Sequence, residues 1–246
     1  MKKLILSILA STFILSCSNN SSSNNDNNTN SNSLTDIDGN VYQNVSICSQ
    51  TWMKSNLNVS HYRNGEIIPQ VTDPTQWANL TTGAWCYYNN DPANGAIYGK
   101  LYNRYAIMDP RGLAPTGYHI PDVSEFNSLI NCVGIYSVGK VMETGTAHWL
   151  SPNSIATNES GFTAVPGGYR GNQQSGPSGY INSGIFRYIN ESGSWWTTSP
   201  GGFNTATNQL TGYRAFSIQS DGINGGFDIT PDFQMFFGAS VRCIKN

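Results

Sequence analysis

Five cysteines and three histidines are the residues through which this 246-residue chain could do redox, metal or acid–base chemistry, and their spacing limits them. Cys17, Cys48, Cys86, Cys132 and Cys243 contain no Cys-x-x-Cys pair, and His61, His119 and His148 come no closer together than the 29 positions between the last two. Zinc sites group their ligands at short intervals, so the spacing assigns no metal ligand. A serine hydrolase carries its nucleophile on a Gly-x-Ser-x-Gly elbow, and the chain has none. A glycosidase needs two facing carboxylates; Glu143 and Glu159 are one such pair that the sequence alone leaves standing. No catalytic residue is assigned, and the chain is expected not to be an enzyme.

Oxygen-rich turns leave one ion open. Asn89, Asn90 and Asp91 crowd one turn and Asn158 with Glu159 another, so two loops could share calcium. Against this stands the habit of asparagine of bonding to its own turn, and no cofactor is assigned. Asp36, Asp38 and Asn40 open like a calcium loop, but the twelfth position is not Glu, and a capped turn is the expected structure.

Cys17 has a different setting from the other four cysteines. Lys2 and Lys3 precede an apolar run, Leu4 to Leu15, that is short for a bilayer span, and Ile14-Leu15-Ser16-Cys17 reads as a lipobox. Residues 1–17 are therefore expected to be a lipoprotein signal peptide with Cys17 lipidated, making a membrane the first partner. Residues 18–33 are almost only Ser and Asn and cannot offset the entropy of ordering; they read as a tether, and residues 34–246 as one domain. Cys48, Cys86, Cys132 and Cys243 remain, an even number that in an exported protein favours disulfides, with three pairings open.

Charged residues are only 11% of the chain and the formal net charge is −2, falling to −4 once Lys2 and Lys3 leave with the signal. No basic run follows those lysines, so nucleic acid is not an expected partner. Abundant Gly, Tyr and Asn suit uncharged ligands.

The elements that must position these residues are legible unevenly. Asp38-Gly39 signals a hairpin, with Val41-Tyr42 and Val45-Ser46-Ile47 as two arms about a further turn. Asp73-Pro74 starts a short helix with Trp77 and Leu80 on one face. Tyr98, Leu101, Tyr102, Tyr105 and Met108 recur at three and four and predict a helix over 98–108. The strongest helix is Val123 to Val133: Asp122 caps it, Glu125 completes a capping box, and Gly134 stops it. A short helix over 138–143, capped by Ser137, is expected next. Gly161 to Arg170 compresses a buried strand (Phe162, Ala164, Val165), a sharp Gly167-Gly168 turn and one guanidinium into ten residues. Gly171 to Asn182 lacks any period and reads as a loop. Strands are expected at 185–189, 194–198 with Trp195 and Trp196 facing opposite ways, 213–219, 225–229, 234–237 and 241–244.

The Gly161–Arg170 stretch, with Gly117-Tyr118-His119-Ile120-Pro121, Ser194-Trp195-Trp196-Thr197-Thr198-Ser199, Ser240-Val241-Arg242-Cys243 and the opening Gln50, Trp52, Met53, Asn56 and Leu57, resembles the Fibrobacter succinogenes major paralogous domain family (FISUMP) from about Asp36 to Asn246. Ala114 stands where many members have a cysteine, and Tyr118 where they have Trp. The resemblance implies an α+β C-type-lectin-like fold: a mixed, mainly antiparallel sheet with one main helix and long loops. It implies Cys132 paired with Cys243, leaving Cys48 with Cys86. Similarity to Gram-negative lipoproteins, with Ser18 after the lipidated cysteine, implies an outer-membrane address. By analogy with retroelement-diversified relatives, a binding face for neutral glycan or protein is expected from Phe203, Asn204, Asn208, Asp221, Asn224, Phe227 and Phe233. The function this implies is a lipid-anchored, non-catalytic envelope binding or adhesion module. The alternatives are a protein-modifying or metal-dependent enzyme on a formylglycine-generating-enzyme-like scaffold, and a structural envelope component.

Overall fold

The computed structural model describes residues 32–174, 180–204, 209–210, 212–234 and 237–246. The chain opens with β1 (Ser33–Thr35), β2 (Val41–Ile47) and β3 (Gln50–Met53). The hairpin between β1 and β2 is made by Asp36, whose Oδ1 accepts from the amides of Asp38 and Asn40 while Oδ2 accepts from Asn40 Nδ2 and the Tyr42 hydroxyl. This is the expected capped turn. Val41 to Ile47 is one uninterrupted strand, however, and the second turn falls at Cys48, whose φ is +51°.

Asp73 caps α1 (Pro74–Ala78) by accepting from the Gln76 amide, and Trp77 is its buried residue. Next come β4 (Trp85–Cys86), α2 (Pro92–Tyr98), β5 (Leu101–Asn103) and α3 (Arg104–Ile107). The expected helix over 98–108 is thus replaced by the end of one helix, a strand and a single short helix. Asp91 caps α2 early, and Gly99 ends it at φ +71°, where a Cβ would stand 2.7 Å from the Leu57 carbonyl oxygen. Leu101 to Asn103 are then claimed by strand partners, so a three-and-four spacing of buried residues arises without a helix.

After β6 (Tyr118–His119), α4 (Val123–Val133) has its expected bounds, with both arms of the Asp122–Glu125 capping box formed and Gly134 at φ +101°. Phe126, Leu129 and Val133 are buried, each contributing roughly 1.5 to 3 kcal/mol by burial. The helix expected over 138–143 is one 3-10 turn, Val138–Lys140, without a side-chain cap from Ser137.

The second half is strand: β7 (Gly167–Gln174), β8 (Tyr180–Ile189), β9 (Ser192–Pro200), β10 (Phe203–Asn204), β11 (Gln209–Leu210), β12 (Gly212–Ser220), β13 (Gly225–Gln234), β14 (Gly238–Ala239) and β15 (Ile244–Lys245). Gly167-Gly168 opens β7 and is not a reversal, and the stretch before it contributes only a bridge of Ala164 to Met142. The segment expected as a loop, 171–182, supplies paired strand on both sides of 175–179, because β7 and β8 run antiparallel from Gly167↔Ile189 to Gln174↔Tyr180, with a register shift between Gly171 and Asn172. Main-chain pairing needs no side-chain period, and Gly171 is glycine for a packing reason: a Cβ there would lie 2.3 Å from the Phe237 ring. The last strand is shorter than expected, since 241–243 precede it.

Among the described residues two large sheets carry the fold, beside the two-stranded β10–β11 pair. One has the order β1-β2-β3-β15-β6; the other runs β13-β12-β9-β7-β14-β5-β4 with β8 also on β7. Pairing is antiparallel apart from the single β7–β9 register and isolated bridges, so the class is α+β, mainly sheet. Strand alternation separates two cores. Trp52, Trp195, Phe216 and Ile244 face α4, while Met53, Trp196, Val241 and Cys243 face Tyr42 and Tyr102. The indoles of Trp195 and Trp196 therefore point opposite ways, as expected.

This alternation overturns the expected disulfides. The bond joins Cys48 to Cys132, with Cα atoms 6.4 Å apart, and Cys86 and Cys243 are free and buried. Cys132 rides on the helix that packs one core, whereas Cys243 lies one residue out of phase with Ile244 and enters the other. Cys86 sits in a third cluster with Val71, Trp77 and Leu101, out of reach of Cys48 at the β2–β3 turn.

Candidate functional site

Three turns meet at one end of the larger sheet. At the β12–β13 turn Asp221 Oδ1 accepts from the amides of Ile223 and Asn224, and Asn224 Nδ2 returns to Oδ2 at 3.2 Å. Gly222, at φ +91°, brings this turn against the next segment, where a Cβ would stand 3.0 Å from the Leu150 oxygen and 2.9 Å from that of Ser151. The Leu150 amide donates to Asn190 in the β8–β9 turn, and the Ser220 amide donates to Glu191. Trp149 anchors the middle segment: it is buried, and its indole donates to the Ala164 oxygen at 2.9 Å. Leu150 and Ile223 emerge from these touching segments 44% and 60% exposed.

Beside them lies a set of polar groups. His148 Nδ1 meets both oxygens of Glu143, at 3.0 and 2.7 Å. The Tyr98 ring stands edge-on to the imidazole at 5.7 Å, and its hydroxyl reaches Asn190 Oδ1 at 3.4 Å. Burial, with the Glu143 charge added, raises the Tyr98 pKa and keeps the phenol protonated. Asn153 holds the loop by donating to the carbonyls of Glu143 and Gly145. Such a dyad can bind a polar ligand or accept a proton. The sequence reading missed this cluster. Its signal was the five-residue spacing of Glu143 and His148, which has meaning only once the intervening loop closes.

The other two histidines are also held by carboxylates. His61 Nδ1 contacts Asp38, and His119 lies between Glu125 Oε1 at 2.8 Å and Asn246 Oδ1 at 2.7 Å. Burial pulls the His119 pKa down, but those two bonds and the charges of Glu125 and Asp122 outweigh it, and the net shift is upward. Glu143 and Glu159 do not make a facing pair: Glu159 turns to Lys140 at 3.5 Å while Glu143 turns to His148. Among the described residues there is no group of three or more His, Cys, Asp or Glu able to hold a metal. Of the oxygens considered for calcium, Asn90 Oδ1 is buried without a hydrogen-bond partner among the described residues, while others serve their own neighbourhoods. Asp91 caps α2, and Asn158 exchanges hydrogen bonds with Thr163.

The remaining thiols are deep. Burial pushes Cys86 up to about 12, against a smaller opposing effect of Arg170, and pushes Cys243 higher. Neither is a thiolate at neutral pH, so neither is a ready nucleophile or metal ligand. Arg170 and Arg242 are also fully buried. Arg170 donates to the carbonyls of Gly184, Val71 and Thr72 and stacks on Trp77 and Phe186; Arg242 donates to Asn56 Oδ1 and to the Phe162 carbonyl. Both guanidiniums hold loops together and face no opening.

The residues expected to form a binding face are not gathered in one place. Asp221 and Asn224 occupy the end just described, exposed but bonded to each other. Phe227 is half-buried, with its ring stacked on Phe216 at 5.9 Å, so one face belongs to the core. Phe233 pairs with Tyr213 at the opposite end of the β12–β13 ladder, and Phe203 and Asn204 form β10 just beyond β9, whose Pro200 pairs with that same Tyr213. The register places Phe233 and Gly225, the residue after Asn224, roughly 25 Å apart along the strands at about 3.3 Å per residue. Asn208 lies outside the described residues, as do Cys17 and the signal segment.

No curated protein and no solved structure matches the chain. The family model described as the Fibrobacter succinogenes major domain does match, over residues 45–245. With this match covering most of its length and the quoted motifs inside it, the chain belongs to the Fibrobacter succinogenes major domain family.

Proposed function

We propose that the chain is a non-catalytic binding module of the cell envelope, held to the outer membrane by lipid on Cys17, with a C-type-lectin-like domain that contacts a neutral glycan or a protein. The observation that carries this reading is the pair Leu150 and Ile223, exposed on touching segments and framed by the amide and carboxylate groups of Asn190, Asp221 and Asn224. An apolar centre with a polar rim is the common form of a recognition surface. The chain as a whole is poor in charged residues, at 11%, which suits an uncharged partner.

The test is a glycan and protein array probed with the full chain and with a Leu150→Asp, Ile223→Asp variant. Binding that falls at least about ten-fold in the variant, with the melting temperature unchanged, supports the reading; a wild-type chain that binds nothing, or a variant that binds equally, overturns it. Lipid labelling that persists in Cys17→Ser removes the anchor.

A second reading, an enzyme, rests on the Glu143–His148 dyad beside Tyr98. It requires a substrate turned over by the wild-type chain and not by His148→Gln.

A further inference from the structure

A cavity of about 280 Å³ opens between the β1–β2 turn and the segments around residues 59–63 and 113–116, and it shares no residue with the surface above. Its inner wall is apolar and buried, made by Val59, Leu113 and Ala114, and Ile37 stands at its mouth 53% exposed. Pockets for drug-sized ligands run from roughly 300 to 1,000 Å³, so this one suits a smaller molecule.

One cation of the lining is both held and unneutralised. Arg63 Nε donates to the Ala114 oxygen at 2.9 Å, and its guanidinium lies flat on Gly112, where a Cβ would come within 3.3 Å of Cζ. Among the described residues no carboxylate pairs with it, while neighbouring Arg111 takes both Glu66 and Asp109. Arg63 is an exposed residue tethered at Nε, and its two terminal nitrogens remain open to grip a carboxylate through two parallel bonds.

The acidic groups nearby do not compete for that position. Asp36 is 8% exposed and spends its oxygens on four donors of its own hairpin. Asp38 is taken by His61 and by the Ser60 amide. Lys100, whose amine donates to the Asn58 oxygen, feels the charge of both aspartates and offsets it.

We propose that this cavity binds a small monocarboxylate with a branched or short hydrocarbon body, its carboxylate on Arg63 and its apolar part against Val59 and Leu113. A free short-chain acid and the C-terminal residue of a peptide share this chemistry.

Calorimetric titration of the full chain with 4-methylpentanoate, N-acetyl-leucine and N-acetyl-leucinamide tests it. The expected result is that at least one acid binds and that the amide binds at least about ten-fold more weakly than N-acetyl-leucine. Arg63→Gln is expected to remove that difference and Arg63→Lys to keep part of it. N-acetyl-leucine binding more tightly than 4-methylpentanoate identifies a peptide terminus, and equal binding a free acid. The proposal is overturned if neither acid binds at about 20 mM, if amide and acid bind alike, or if a folded Arg63→Gln keeps the preference. Should Arg63→Gln not fold, the wild-type comparison of acid with amide decides.

Discussion

Arg242 is buried with no carboxylate paired to it among the described residues, and the atom that takes its Nε and Nη2 hydrogen bonds, at 3.0 and 2.8 Å, is the neutral side-chain oxygen of Asn56. The same oxygen accepts from the Trp195 indole at 2.8 Å, while Asn56 Nδ2 donates to the Tyr98 carbonyl and Ser240. One amide therefore joins the β3–α1 segment, α2, β9 and the C-terminal segment. Asn56→Ala leaves a buried cation short of its neutral acceptor and is expected to cost about 2 to 3 kcal/mol. Chemical denaturation measures it, and a loss under about 1 kcal/mol would show that Arg242 finds another acceptor.

The Cys48–Cys132 bond closes 84 residues of sequence. Chain-entropy arguments give such a crosslink up to about 4.5 kcal/mol, so Cys48→Ser is expected to lower stability by roughly 2 to 5 kcal/mol. Thiol titration of the mature domain should find no reactive group in the native protein and two after unfolding without reductant. Four thiols after unfolding would contradict the bond.

Asp122 holds the start of α4 through its bond to the Glu125 amide. Asp122→Ala is expected to cost about 1 kcal/mol and Asp122→Asn less, since Asn caps nearly as well. Equal losses in a thermal melt would mean that the cap is not the source.

Lys100 is only 4% exposed, and burial lowers its pKa from 10.5 to about 8, against the opposing charges of Asp38 and Asp36. The unfolded chain then binds more protons than the folded one between those two values, so stability rises with pH across that window. Denaturation midpoints should climb between pH 8 and 9.5 in the wild type relative to Lys100→Met, where this component is removed; parallel curves would rule it out.

Ala114 and Cys243 share one buried cluster, and burial raises the Cys243 pKa against a smaller opposing effect of Arg63, whose Nε donates to the Ala114 oxygen. Ala114→Cys is expected to form a second disulfide with Cys243 on oxidation, read as a mass loss of about 2 Da on crosslinking with the geometry such bonds require. Two unreacted thiols at these positions would place the side chains too far apart.

The sequence by itself determined the elements whose signals are local. Asp122, Glu125 and Gly134 bound α4 because a cap needs only its own turn, and Asp36 closes its hairpin for the same reason. Trp195 and Trp196 face opposite cores because alternation is built into any strand. Tertiary structure decided what depends on partners far along the chain. Leu101 to Asn103 become strand because β4 and β14 are there to pair with, and Gly171 to Gln174 because β8 is. Cys132 meets Cys48 because the phase of a distant strand turns Cys243 away from the helix. The candidate surface follows the same rule: Asp221 and Asn224 are expected in a binding face only by family analogy, and Leu150, Asn190 and Ile223 come together only when three turns, remote in sequence, are zipped by main-chain hydrogen bonds.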